Sequence, residues 1–172
     1  MANREEPRGE DKQMISMGLP KDQAVLVALG KLAIRHGQLD QGLKLAIRNL
    51  RGISIEQTLA ETKRKSSHQL RALVEEHAKD RIGEAPILVR IREMLHRSRQ
   101  ATDYRNSVLH DLWATESHGR PHHSPDVFPE EIPRVAELEA VADNLFSVVK
   151  ELDHERHHGF LREAVEASAV GD

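Results

Sequence analysis

The sequence predicts an all-α protein, an up-and-down-type bundle of about four or five main helices. Two observations carry this. Apolar residues recur at helical spacing over windows of many turns, whereas alternating β-branched runs are scarce and aromatic residues make up only 3% of the chain. Charged residues are 31% of the total against 38% hydrophobic, with a mean hydropathy of -0.57, as expected of amphipathic helices with strongly charged outer faces.

The elements follow in order. Met1 to Gly18, with the run from Arg4 to Lys12 rich in charge, predicts a solvated and disordered arm (residues 1–18). Pro20 suits a first helical turn, and Val25, Leu29, Leu32, Leu39, Leu43, Ala46 and Leu50 form one stripe that ends at a Gly52 cap. Gly30, Gly37 and Gly42 weaken this helix but permit a neighbour to approach. His36 lies on the stripe and is expected as a hydrogen-bonded core histidine. Ser54 and Gln57 have capping-box spacing and open a short second helix. A basic loop at Lys63, Arg64 and Lys65 precedes a third helix, expected to be capped by Ser67, that carries Leu70, Leu73, Val74, His77 and Ile82 and ends at Gly83. Pro86 starts a fourth helix, expected to run from Ile87 to about Trp113. Thr115 to Phe128 has no helical stripe and is rich in turn formers, so a hairpin or a loop is expected there. A fifth helix is expected from near Pro129 to Pro133 through Leu152, with a break at His158-Gly159 and a short tail helix from Phe160 to Ala169. The bundle thus occupies residues 19–158 and the tail 159–172.

Composition narrows the function. A net charge of -3 excludes a broad electrostatic footprint for nucleic acid, so any RNA contact must come from a local basic patch. Lys63, Arg64 and Lys65, with Arg97 and Arg99, are the candidates. The absence of cysteine excludes disulfides and thiolate metal sites. No apolar run reaches membrane-spanning length and no signal peptide is recognisable, so a cytoplasmic location with no membrane association is expected.

The fourth helix carries the most informative residues. At about 100° per residue, Ile87, Leu88, Ile91, Met94, Leu95, Val108, Leu109 and Leu112 gather on one arc. Arg105 falls inside that arc, where a charge must be paired or must meet a partner or ligand. Along the edge of the arc runs a polar stripe of His96, Arg99, Asp103, Asn106 and His110. Asn106 and His110 are spaced to hydrogen-bond, but Arg105 and His110 diverge by about 140° on one helix. The motif therefore makes best sense at a symmetric interface. Arginine binds phosphate with forked donors, and histidine exchanges protons near neutral pH.

At Arg105-Asn106-x3-His110 the chain resembles the HEPN superfamily, whose signature is an Arg, four to six residues and a His, often with a polar residue directly after the Arg. Leu39-Asp40 in the first helix, the motif on a late helix and the irregular segment before a final long helix agree with the family's order, from roughly Pro20 to Glu155. The resemblance implies a homodimeric bundle and a metal-independent, cofactor-free endoribonuclease acting on single-stranded RNA. Arg105 would bind the scissile phosphate, His110 would transfer protons and Asn106 would position them, with Arg99, Asp103 and His96 as substrate-binding residues. It also implies a toxin–antitoxin or phage-defence setting with an antitoxin or defence-system protein as partner. Leu112 stands where some members carry the tyrosine two residues after the His, which leaves no target for regulation through that residue. The alternative within the family is a non-catalytic dimeric scaffold or a nucleotide- or protein-binding module.

Two metal readings compete weakly. Glu93/His96 and Glu151/His154 have the Glu-x-x-His spacing of carboxylate-bridged di-iron bundles, but the first helix holds no Glu, its acids being Asp22 and Asp40. His118/His122/His123 and His154/His157/His158 are expected as solvated loop and helix-end residues, and no metal site is assigned.

Overall fold

A computed structural model describes residues 22–107 and 134–166 with their side chains, and the backbone of 16–17, 108–110, 114–115, 121–122 and 167. The chain divides into two compact units, Asp22–His110 with Pro133–Asp172, and Met1–Lys21 with Asp111–Ile132.

The first unit is an all-α bundle: α1 (Gln23–Arg51), α2 (Ile55–Thr62), α3 (Ser67–Ile82), α4 (Pro86–His110), α5 (Val135–His158) and α6 (Phe160–Ala167). Local chemistry sets the helix ends. Asp22 caps α1 by accepting the Ala24 N–H at 2.8 Å, while Pro20, expected in the first turn, lies outside the described residues. Gly52 ends α1 at a φ of 65°, a left-handed conformation open to glycine at little cost. Ser54 and Gln57 close the capping box of α2 as the spacing predicts. Ser66 rather than Ser67 caps α3, because the reciprocal partner three residues on is Gln69 for Ser66 but the apolar Leu70 for Ser67. The expected continuation of α4 to Trp113, the start of α5 near Pro129 to Pro133 and the end of α6 at Ala169 all lie outside the described residues.

Side-chain pairs give the helix directions. Lys31 faces Glu139 and Asp143, whereas Gly42 packs on Leu152, so α1 and α5 run parallel. His36 meets Ser67 and Arg81 reaches the Leu50 carbonyl, so α3 is parallel to α1. Arg71 meets Thr102 and Arg92 meets Glu75, so α4 runs back against α3. The short α2 links α1 to α3, so α1, α3 and α5 run one way and α4 the other. Leu32, Leu39, Leu43, Ile47, Leu70, Leu88, Ile91, Leu138, Leu145 and Leu152 are fully buried at the centre. Phe160, Leu161 and Ala164 of α6 close one end.

The close α1–α5 contact depends on Gly42. A Cβ there would sit 2.8 Å from Leu152 Cδ2, and Leu152 is itself enclosed. Gly30 and Gly37 have nothing within 4 Å of that position, so they do not serve the close approach expected of them. Gly37→Ala is therefore expected to stabilise the fold by about 1 kcal/mol through helix propensity. Gly42→Ala should destabilise it by about 1–2 kcal/mol despite the same propensity gain. Urea unfolding of the two variants distinguishes these opposite signs.

In the second unit, β1 (Ser16–Met17), β2 (Ala114–Thr115) and β3 (Pro121–His122) pair antiparallel in that order. Ser16 pairs with Thr115 and Met17 with Ala114, while Ala114 and Thr115 pair with His122 and Pro121. The β2–β3 hairpin falls in the segment where the sequence allows one. Ser16 and Met17 belong to the stretch expected as a disordered arm.

Candidate functional site

One line of α4 runs through the buried Leu88, Ile91, Leu95, Ser98 and Thr102 to the half-buried Arg105, with Met94 and Ala101 buried beside it. That line thus changes from apolar to polar along the helix. Polar residues enter the inward faces of the neighbouring helices at matching heights. His36 and Asp40 interrupt that of α1, and Ser67 and Arg71 interrupt that of α3. Three helices therefore bring their polar positions to one level of the bundle.

Hydrogen bonds join this layer. Ser67 Oγ and His36 Nε2 are 3.1 Å apart, and His36 Nδ1 lies 4.0 Å from an Asp40 carboxylate oxygen. Arg71 Nη1 donates to Thr102 Oγ1 at 3.1 Å, and Thr102 donates to the Ser98 carbonyl at 2.8 Å. Arg105 Nη1 donates to the Asn106 carboxamide oxygen at 2.8 Å. Asp40 Oδ1, Ser98 Oγ and Arg105 Nε are buried without a hydrogen-bond partner among the described residues. Asp40 is the carboxylate that offsets the charge of Arg105 electrostatically, but no ion pair forms between them.

Burial pushes the Arg71 and Arg105 pKa values down, partly countered by Asp40 and, for Arg71, first by Asp103. His36 is pulled below its ordinary 6.5, first by burial; Asp40 opposes this and the charges of Arg105 and Arg71 add to it. The folded state therefore resists a proton that the unfolded chain accepts. Stability from a neutral His36 is present above pH 6.5 and is lost as the pH falls below that value. His36→Gln keeps a partner for Ser67 and is expected to flatten the fall in unfolding free energy below pH 6.5, measured by denaturant titration across that range. An unchanged slope would place the proton uptake elsewhere.

The residues singled out by sequence are distributed unequally. Arg105 and Asn106 belong to the polar layer. His110 is the last residue of α4, and its side chain lies outside the described residues. His96, Arg99 and Asp103 are exposed on the outer side of α4, with Arg99 Nε 3.4 Å from Asp103. His96 and Arg99 line a groove of about 240 Å³ between α3 and α4, together with His68, Arg71, Glu75 and Arg92. Lys63, Arg64 and Lys65 are exposed between α2 and α3 and do not line that groove, and Arg97 pairs with Glu151 on α5. His36 is a hydrogen-bonded, mostly buried histidine, as its position on the stripe predicts.

Sequence reading missed Arg71, Thr102 and the inward role of Ser67. A signal existed for α4: extending the Leu88–Ile91–Leu95 spacing leads through Ser98 and Thr102 to Arg105. Arg71, between Leu70 and Val74, gave no comparable warning.

Among the described residues, no three His, Asp or Glu side chains gather as a metal site, and Glu93/His96 and Glu151/His154 acquire no third ligand. His154, His157 and His158 cluster at the exposed end of α5, with His157 Nε2 3.7 Å from Asp153. Among the described residues no helix is long and apolar enough to cross a membrane. Compared with known protein families, curated proteins and solved structures, the chain matches none.

Proposed function

We propose that this protein is a HEPN-like endoribonuclease that cuts single-stranded RNA without a metal, as a homodimer, through Arg105, Asn106 and His110. One observation carries the reading. Arg105 is a half-buried guanidinium with an unpartnered Nε and no ion pair among the described residues, held by Asn106 on the helix that ends at His110. A cation withdrawn from water without an ion-pair partner has free donors for an anion, and a phosphodiester matches its forked geometry.

The chemistry follows from these groups. The RNA 2′-hydroxyl attacks the adjacent phosphorus, its proton leaves to a base, and the 5′-oxygen departs with a proton from an acid. His110 serves the proton transfers, and Arg105 stabilises the charge that grows on the non-bridging oxygens. Asn106, bonded to Arg105, fixes the guanidinium. Because Arg105 and His110 diverge by about 140° on one helix, the Arg of one protomer serves with the His of the other.

The test is cleavage of a single-stranded RNA in the presence of EDTA. Wild-type protein is expected to leave a 2′,3′-cyclic phosphate, and His110→Ala is expected to lose the activity. No cleavage by the wild type, or equal cleavage by His110→Ala, sinks the reading.

A further inference from the structure

We propose that the groove between α3 and α4 is a second phosphate-binding subsite, which seats a phosphodiester of the RNA strand next to the scissile one and anchors it on Arg71. This rests on the nuclease reading above. Three guanidinium groups, Arg71, Arg92 and Arg99, line the groove against one carboxylate, Glu75, with His68 and His96 at its walls. Their partners differ in kind. Arg92 is held by Glu75 and Glu84, and Arg99 by Asp103, in exposed ion pairs that an incoming anion displaces at little cost. Arg71 is only 7% exposed and, among the described residues, has no carboxylate at ion-pair distance. Its hydrogen bond runs to Thr102, which leaves most of its five donors for a ligand.

Size and position choose the ligand. A volume of about 240 Å³ is below that of pockets that enclose small molecules, roughly 300–1,000 Å³, so the groove seats a charged group and does not engulf a nucleotide. Arg99 precedes Arg105 on the same helix by about 9 Å of axial rise. A strand whose scissile phosphate meets Arg105 reaches the groove with its neighbouring nucleotides. Arg71 and Arg105 both act on His36, which places groove and polar layer within electrostatic range of one another.

Binding is measured by fluorescence anisotropy with a 2′-O-methyl oligonucleotide, which cannot be cleaved by attack of its own 2′-oxygen. Arg99→Glu is expected to weaken binding at least tenfold and to lower the dependence of log affinity on log salt by about 0.7 for each phosphate it no longer neutralises. Lys150→Glu, which makes the same charge change in the separate α1–α5 groove, is expected to stay within about twofold. Arg71→Met, where its melting profile shows it folded, should bind as weakly as Arg99→Glu or more so. If Arg99→Glu and Lys150→Glu bind alike, or a folded Arg71→Met binds as the wild type does, the subsite is wrong. Groove-dependent binding combined with no cleavage of unmodified RNA retains the groove as a phosphate-binding site for RNA and removes the nuclease reading, and with it the groove's place beside a scissile phosphate.

Discussion

Replacing Arg105 by alanine is expected to lower RNA cleavage by about 10²- to 10³-fold, the range seen when a group that stabilises transition-state charge is deleted. Stability should change little. The guanidinium makes a single hydrogen bond among the described residues, to its own neighbour Asn106, and its Nε is already unpartnered, so removal relieves a desolvated charge as much as it breaks a bond. Arg105→Lys keeps the charge but not the forked donors and is expected to recover little activity. Mixing Arg105→Ala with His110→Ala then tests the composite site. In a twofold dimer half of the mixed species are heterodimers, and each holds one site with both its Arg and its His, so about a quarter of wild-type activity should return. Were Arg105 and His110 to act within one protomer, no intact site would form and nothing would return.

The bundle was legible because its information is local. Helix periods, the Ser54–Gln57 box and the Gly52 cap each depend on residues within a few positions of one another. The error at Ser67 has the same origin. Tandem serines offer two caps, and only the identity of the third residue onward separates them. Ser66 has Gln69, which frees Ser67 to turn inward to His36. The site was legible only on the helix that carries it. Arg105 could be recognised as a charge in an apolar arc, but Arg71 could not be assigned to the same layer, because its height in the bundle is fixed by how α3 packs on α1 and α4. The exposed stripe of His96, Arg99 and Asp103 shows the converse limit. Its helical spacing is real, yet its partner across the groove is a residue of α3 that no spacing within α4 reveals.

Arg81→Met is expected to cost about 2–4 kcal/mol of stability, and to lower the melting temperature by roughly 6–10 °C, without altering cleavage at a temperature where the variant is folded. Arg81 is half-buried like Arg105, but its donors are taken up by the fold. Nη1 reaches the Leu50 carbonyl at 2.6 Å, Nε the Ala164 carbonyl at 3.2 Å and Nη2 the Val165 carbonyl at 2.8 Å. These acceptors lie near the C-terminal ends of α1 and α6, where backbone oxygens lack helical partners and a cation is favoured. One side chain of α3 thus ties two helix ends together. Methionine retains much of the volume and none of the donors, so its effect isolates the hydrogen bonds from the packing. Thermal melts and RNA cleavage, measured on Arg81→Met and Arg105→Ala side by side, should show opposite losses. If Arg81→Met cuts poorly while folded, or Arg105→Ala unfolds as readily, then hydrogen-bond saturation does not separate a structural arginine from a functional one in this bundle, and the assignment of Arg105 loses its physical basis.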